Sequence, residues 1–197
     1  MILMKSQIEN YLNRYIKFTN EEIDLFISFL KIKSFKKGEF ILKEGEICKN
    51  KYFVLDGITR SFYVEEKGKE VITQFAIPNW WVTDFESFIK ESPSNIYIQT
   101  LSETKLCILN KNDLEFLYDK LPKLERFFRI ITENMLIAIQ KKSEFYSRLD
   151  GEEKYKSSFN SFPDFIQQIP QYMLASYLNI SPEHLSVIRK KFLRYLN

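Results

Sequence analysis

Between Ser6 and Leu30 the apolar residues recur at steps of three and four: Ile8, Leu12 and Tyr15 or Ile16 form one stripe, and Ile23, Phe26, Ile27 and Leu30 another. That period predicts two short amphipathic helices. Thr19 or Asn20 serves as N-cap of the second, with Glu21 and Glu22 at the positive end of its dipole. From Ile32 to Leu109 the pattern changes to short β-branched and aromatic runs: Phe40–Leu42, Lys51–Leu55, Thr59–Val64, Glu70–Phe75, Ile96–Thr100 and Thr104–Leu109. Such closely spaced strands predict a barrel or sandwich. Gly38, Gly45, Gly57 and Gly68 fall between the runs as turn residues, and Glu65-Glu66-Lys67-Gly68-Lys69 reads as a hairpin tip.

From Leu121 to Leu149 the residues Leu124, Phe128, Ile131, Met135, Ala138, Lys142, Phe145 and Leu149 alternate steps of four and three, the spacing of a coiled-coil seam broken only by Lys142. Phe127, Ile130 and Ile137 add a second stripe, so this helix is expected to have two apolar neighbours. One is the strand domain; the other is the same helix of a second chain, or, alternatively, further helices of its own chain. After a turn at Asp150-Gly151 comes a short polar helix from Glu152 to Phe159 or Phe162, broken before Pro163. Pro170 opens a helix carrying Met173, Leu174, Tyr177 and Leu178. Asn179 tolerates left-handed backbone, and Ser181-Pro182-Glu183 reads as N-cap, N1 and N2 of a last helix. Two helices joined by so short a turn form a helix-turn-helix candidate.

On a helical wheel of this last segment, Leu185, Ile188 and Phe192 share the buried side. Glu183, Ser186, Val187, Lys190 and Arg194 lie opposite, with His184, Arg189 and Lys191 on the flanks. In a helix docked in the major groove, N-terminal residues reach base edges and later basic residues meet phosphates. Glu183 can accept from cytosine N4, Ser186 can donate or accept, and Val187 offers only apolar contact such as a thymine methyl. A solvated basic helix with no ligand is the plainer alternative; the preceding helix and turn favour the DNA-reading one.

Composition narrows the chemistry. With 45% hydrophobic residues among 197 there is material for a core, and a net charge of +3 means that any nucleic-acid affinity comes from a local cluster. No apolar run is long enough to span a bilayer, and Met1-Ile2-Leu3-Met4 is cut off by Lys5, so a cytoplasmic protein with no membrane partner is expected. Cys48, Cys107 and the single His184 are too few for a zinc or iron-sulfur site, and metal ligands are expected to be absent. The chain carries no GxGxxG, P-loop or GxSxG, and its adjacent acids, Glu65-Glu66 and Glu152-Glu153, suit turns and helix starts. No catalytic residues are therefore assigned, and an enzyme is not expected.

In this order and spacing, Lys36-Lys37-Gly38-Glu39-Phe40-Ile41-Leu42-Lys43-Glu44-Gly45-Glu46, Tyr52-Phe53-Val54-Leu55-Asp56-Gly57 and Gln171 to Lys191 resemble segments of the catabolite-activator/fumarate-nitrate-regulator (Crp/Fnr) family of bacterial transcription factors. The resemblance covers nearly the whole chain. Trp80-Trp81-Val82-Thr83-Asp84 and the short C-terminus are similar to the family's Bacteroidetes-type members. It implies an α+β fold: an N-terminal β-roll (a double-stranded jelly-roll of cyclic-nucleotide-binding type), a long dimerisation helix and a C-terminal helix-turn-helix. The corresponding domains are residues 1–113, 114–149 and 150–197. Implied partners are double-stranded DNA with a palindromic operator, a second copy of the chain, RNA polymerase and a small-molecule effector of unknown identity. Gln171, Ser181, Glu183, Ser186, Val187, Arg189, Lys190 and Arg194 would meet DNA; Phe128, Ile131, Met135, Ala138 and Phe145 would form the dimer seam.

Three departures from the family qualify this. Cyclic-nucleotide binders carry a Gly-Glu pair and, about ten residues on, an Arg-Ser/Thr-Ala triplet, where this chain has Thr83-Asp84 and Ser94-Asn95-Ile96. Without the arginine a buried phosphate lacks its cationic partner, so a cyclic-nucleotide cofactor is disfavoured. The pocket is degenerate, or takes another ligand against Trp80, Trp81, Thr83, Asp84, Ser94 and Asn95, although tryptophans beside a strand are equally suited to a plain core. At Val187 many members have an arginine that reads guanine. Finally, the sequence stops at Asn197, six residues past Lys191, so no complete wing hairpin is expected. The last two departures leave a second reading open, a ligand-binding or protein-interaction module of the same fold that has lost specific DNA recognition.

Overall fold

The computed structural model describes residues 2–196, except the side chains of residues 2, 145 and 193–196. It divides into two compact units, Met1–Tyr63 with Gln74–Asn134, and Val64–Thr73 with Met135–Asn197. Among the described residues no helix is long and apolar enough to cross a membrane.

The first unit opens with α1 (Ile2–Asn13) and α2 (Asn20–Ser28). Thr19 starts α2 through a capping box: its hydroxyl accepts the Glu22 N–H at 3.3 Å while the Glu22 carboxylate accepts the Thr19 N–H at 2.6 Å. The expected strands are present as β2 (Phe40–Leu42), β3 (Asn50–Asp56), β4 (Thr59–Val64), β5 (Glu70–Ala76), β7 (Tyr97–Thr100) and β8 (Thr104–Asn110). Two more, β1 (Lys31–Phe35) and β6 (Trp81–Val82), complete a pair of four-stranded sheets ordered β1-β8-β3-β6 and β2-β7-β4-β5. β1 and β8, β2 and β7, β3 and β6, β3 and β8, and β4 and β7 pair antiparallel, as in a double-sheet roll. β1 escaped the sequence reading because Lys31, Ile32, Lys33 and Ser34 are all exposed, so the strand lacks an alternating apolar face. Its lysines suit a strand paired on one side only, since charge discourages further pairing.

Two turns before β3 repeat one device. In Lys36-Lys37-Gly38-Glu39 and Lys43-Glu44-Gly45-Glu46 the glutamate side chain accepts the N–H of the lysine three residues earlier, each at 2.9 Å, and the glycines sit at φ +85° and +84°. The core between and around the sheets contains Val54, Ile98, Leu106, Cys107 and Leu109, all at 0% exposure. Against one face of β3, Phe53 meets Tyr11 and Trp81 at ring separations of 4.9 and 5.1 Å.

Where one helix starting near 114 was expected, there are two. α4 (Lys111–Lys120) ends at Leu121, and Pro122 begins α5 (Pro122–Arg148). Proline lacks the N–H and sterically opposes helical backbone at the residue before it, so the break falls there.

In the second unit, the C-terminal half of α5 is followed by α6 (Gly151–Ser161), α7 (Pro163–Gln168), α8 (Gln171–Leu178) and α9 (Pro182–Leu196). Asp150 and Glu153 form a second capping box, at 2.9 and 3.0 Å. Tyr155 and Phe159 of α6 pack on Phe192 of α9 at 5.5 and 5.0 Å between ring centres. At Gly151 the approach is close: a Cβ there would lie 3.1 Å from His184 Cε1, 3.2 Å from Ile188 Cδ1 and 3.3 Å from Ile180 Cγ2.

Candidate nucleic-acid interface and effector cassette

The α8–α9 pair has the local chemistry read from the sequence. Asn179 ends α8 in the left-handed region, φ 53° and ψ 50°, and its N–H bonds back to Ala175 and Ser176. Ser181 then caps α9, its hydroxyl accepting the His184 N–H at 3.1 Å, with Pro182 in the first turn. Leu185 and Ile188 are buried at 0% and 3%, which fixes the rotation of α9 and turns Glu183, Val187 and Lys190 outward.

The expected DNA-facing residues do not all share one environment. Ser181, Glu183, Val187 and Lys190 are exposed, and Ser186 is half-buried on the same helix. Gln171 is engaged inside the unit: its amide donates to the Pro182 carbonyl at 3.1 Å and so holds the start of α9. Arg189 is half-buried beside the Tyr155 hydroxyl, whose pKa it pulls down against the larger upward push of burial. Arg194 lies outside the residues whose side chains are described. Lys191 pairs with Glu152 at 2.6 Å, and Lys156 joins the same carboxylate at 2.8 Å. Bonds from Lys156 and then Lys191 hold Glu152 down to about 2.

The residues of the expected dimer seam stand in different surroundings. Phe128 is 6% exposed and packs on Trp81 and Phe127 at 5.2 and 5.3 Å, so it belongs to the core of its own unit. Ile131 packs against that core, Met135 is half-buried, and Ala138 is exposed; the Phe145 side chain is outside the described set. Lys142, the break in the heptad, lies 3.5 Å from the centre of the Tyr177 ring of α8 and 5.5 Å from that of Tyr146. Burial lowers it to about 8. The large apolar residues that α5 leaves exposed are Leu136, Ile137 and Ile139, at 53%, 47% and 55%.

The residues expected to line an effector pocket gather around a short helix. Between β6 and β7 the chain forms α3 (Phe85–Lys90), which the sequence pattern did not reveal. Asp84 caps it: one carboxylate oxygen accepts the Glu86 and Ser87 N–H groups at 3.1 and 3.3 Å, and the other lies 2.7 Å from the Ser94 hydroxyl. Thr83 donates to the Asn50 carbonyl at 2.9 Å and lies 3.3 Å from Cys48 Sγ. Ser87 accepts the Cys48 N–H at 2.8 Å and donates to the Ser92 carbonyl at 2.6 Å. Thr83, Asp84 and Ser94 thus meet in one satisfied network, while Asn95 and Trp80 are exposed, Trp80 at 38%. An acidic side chain thus sits at the start of α3, where its charge opposes that of any phosphate.

Two basic residues of this unit were missed. Arg60 of β4 is buried at 5% and its guanidinium donates twice to Gln99 Oε1 of β7, at 2.9 and 2.7 Å. It is the sole arginine between positions 31 and 110. Paired opposite Gln99, it stands on the face of the sheet away from the fully buried Ile98. Lys51 of β3 is buried at 8%, its ammonium 4.5, 4.8 and 5.6 Å from the ring centres of Phe85, Phe88 and Phe128. Burial lowers it to about 8, with a smaller upward contribution from Cys48. Nothing in its spacing announces this environment; three phenylalanines from two distant helices create it.

Comparison with known proteins agrees with this architecture. Residues 32–120 match the family described as Cyclic nucleotide-binding domain. Electron transport regulator A of Shewanella oneidensis is 23% identical over 171 residues, covering 81% of this chain and 68% of that protein. Transcriptional activator protein anr of Pseudomonas aeruginosa is 23% identical over 195 residues, covering 90% and 77%. Among solved structures, FixK2 from Bradyrhizobium japonicum superposes with a TM-score of 0.74 at 16% identity, over 84% of this chain and 85% of that one. The c-di-GMP responsive global regulator CLP of Xanthomonas campestris gives 0.72 at 14%, over 89% and 92%. Electron transport regulator A, anr and CLP are by name a regulator, a transcriptional activator and a global regulator. Residues 32–120 thus carry the match to a cyclic nucleotide-binding domain, and the chain as a whole, a β-roll followed by a long helix and a helix-turn-helix, is similar to regulators of the Crp/Fnr type.

Proposed function

We propose that this chain is a DNA-binding transcription regulator that acts as a homodimer on a palindromic operator, with α9 entering the major groove. The observation that carries the reading is the outward face of α9: Glu183, Val187 and Lys190 exposed above a buried Leu185–Ile188 side, on a helix fixed by the Asn179 turn and the Ser181 cap. Lys190 and other basic residues of the second unit would meet phosphates and position the helix without specifying sequence.

The dimer contact we propose is one helix position away from the seam read from the sequence. Leu124, Phe128 and Ile131 are used inside the chain, and Lys142 leans on Tyr177. The steps of four and three on the open side run through Thr132, Leu136, Ile139 and Ser143, all exposed. Two apolar residues at the centre of that stripe suit a second copy of α5.

A cyclic nucleotide is not the effector we propose, because Asp84 fills the start of α3 and Arg60 is committed to Gln99. Selection from random duplexes, with and without cyclic mononucleotides, tests the whole reading. An inverted repeat recovered in both conditions, with affinity falling steeply as salt rises, supports it. Absence of any preferred sequence would favour the interaction-module reading instead.

A further inference from the structure

Among the described residues of α9, Val187 is the large apolar side chain turned to solvent, 64% exposed. It is not spare core: Leu185 and Ile188, its neighbours in sequence, occupy the buried side. A β-branched residue gains nothing for an isolated helix at such a position, and leaving its methyl groups in water forgoes the stabilisation of burial. Glu183 stands one turn before it on the same face and Lys190 nearly one turn after, both exposed. The flanking charges, one acidic and one basic, argue for a polar partner around a small apolar spot rather than for a broad apolar protein surface.

In the major groove one base-edge group answers that description, the C5-methyl of thymine, which 5-methylcytosine shares and uracil and cytosine lack. Glu183, an acceptor only when ionised, requires an exocyclic amino group, N4 of cytosine or N6 of adenine. Four residues of helix advance about 6 Å, so the two side chains address base pairs within about two steps of each other. We infer that Val187 is a specificity-determining residue that reads a C5-methyl group in each half-site, with Glu183 taking an amino group one or two base pairs away. This rests on the proposed DNA-reading role of α9.

The test uses the full chain and the best duplex from the selection, labelled with fluorescein, in anisotropy titrations. Each thymine is replaced in turn by deoxyuridine, which removes the methyl group and nothing else. At one thymine per half-site the affinity is expected to fall about fourfold, the ratio given by ~0.8 kcal/mol for one buried methyl group at 1.36 kcal/mol per tenfold. Installing 5-methylcytosine in place of cytosine at that position should recover affinity relative to cytosine. In Val187→Ala the deoxyuridine and thymine duplexes should bind alike, with the helical circular dichroism unchanged because the side chain is exposed. The inference is overturned if no thymine is sensitive to loss of its methyl group, or if the sensitivity survives in Val187→Ala. Failure to bind any duplex at low salt would overturn the underlying reading as well, and is distinguished by that total loss. A Val187→Ala effect confined to protein assembly, with DNA affinity unchanged, would assign the residue to a protein partner and also overturn it.

Discussion

Replacing Lys51 with methionine probes how the β-roll tolerates a buried cation. Its ammonium is 8% exposed among Phe85, Phe88 and Phe128, and burial takes its pKa from 10.5 to about 8. At 1.36 kcal/mol per unit, holding the charge in the folded state costs ~3 kcal/mol. The ring faces return roughly 0.5–2 kcal/mol in all. At pH 7 Lys51→Met is therefore expected to be about 1–2.5 kcal/mol more stable than the wild type, methionine being unbranched enough to fill the stem's path. The sign follows from proton counting. Between pH 8 and pH 10.5 the unfolded chain holds the Lys51 proton and the folded chain does not. Wild-type stability therefore climbs through that window relative to the variant, and is flat below it. Urea unfolding of both proteins from pH 7 to 10.5 measures the difference, in which other titrating groups cancel. A difference that stays constant with pH would show that Lys51 keeps its ordinary affinity for the proton, and the argument from burial would fail.

Four further outcomes are expected. Gly57→Ala should cost about 3 kcal/mol in a thermal or urea unfolding experiment, since φ is +89° and a Cβ would lie 2.4 Å from the Glu103 carbonyl oxygen. The double variant Leu136→Asp with Ile139→Asp should be a folded monomer by light scattering with native circular dichroism; a persistent dimer would place the interface elsewhere. Leu185→Ala should destabilise the second unit by about 2–5 kcal/mol, read by hydrogen exchange in α9, because the side chain is fully buried. Asp84→Ala should lose about 1 kcal/mol through the missing cap of α3, and the wild type should show no shift in melting temperature with millimolar cyclic AMP; a clear upward shift would mean that Asp84 gives way to phosphate.

Local chemistry was legible in the chain because it depends on neighbours in sequence. Thr19 with Glu22, Asn179, and Ser181-Pro182-Glu183 each act within one helical turn, and the alternating runs mark most strands of the roll. The buried side of α9 was readable for the same reason: Leu185 and Ile188 repeat with the helical period. What the sequence left undecided depends on which surfaces meet. Period alone shows that α5 has several apolar stripes, and cannot say which is consumed at home; packing of Phe128 on Trp81 and of Lys142 on Tyr177 moves the open stripe to Leu136 and Ile139. β1 has no buried alternation and is a strand because β8 supplies its hydrogen bonds. The cage around Lys51 and the closure of the cassette by Asp84 and Ser94 likewise join residues far apart along the chain, whose encounter is set by tertiary packing and not by any local preference.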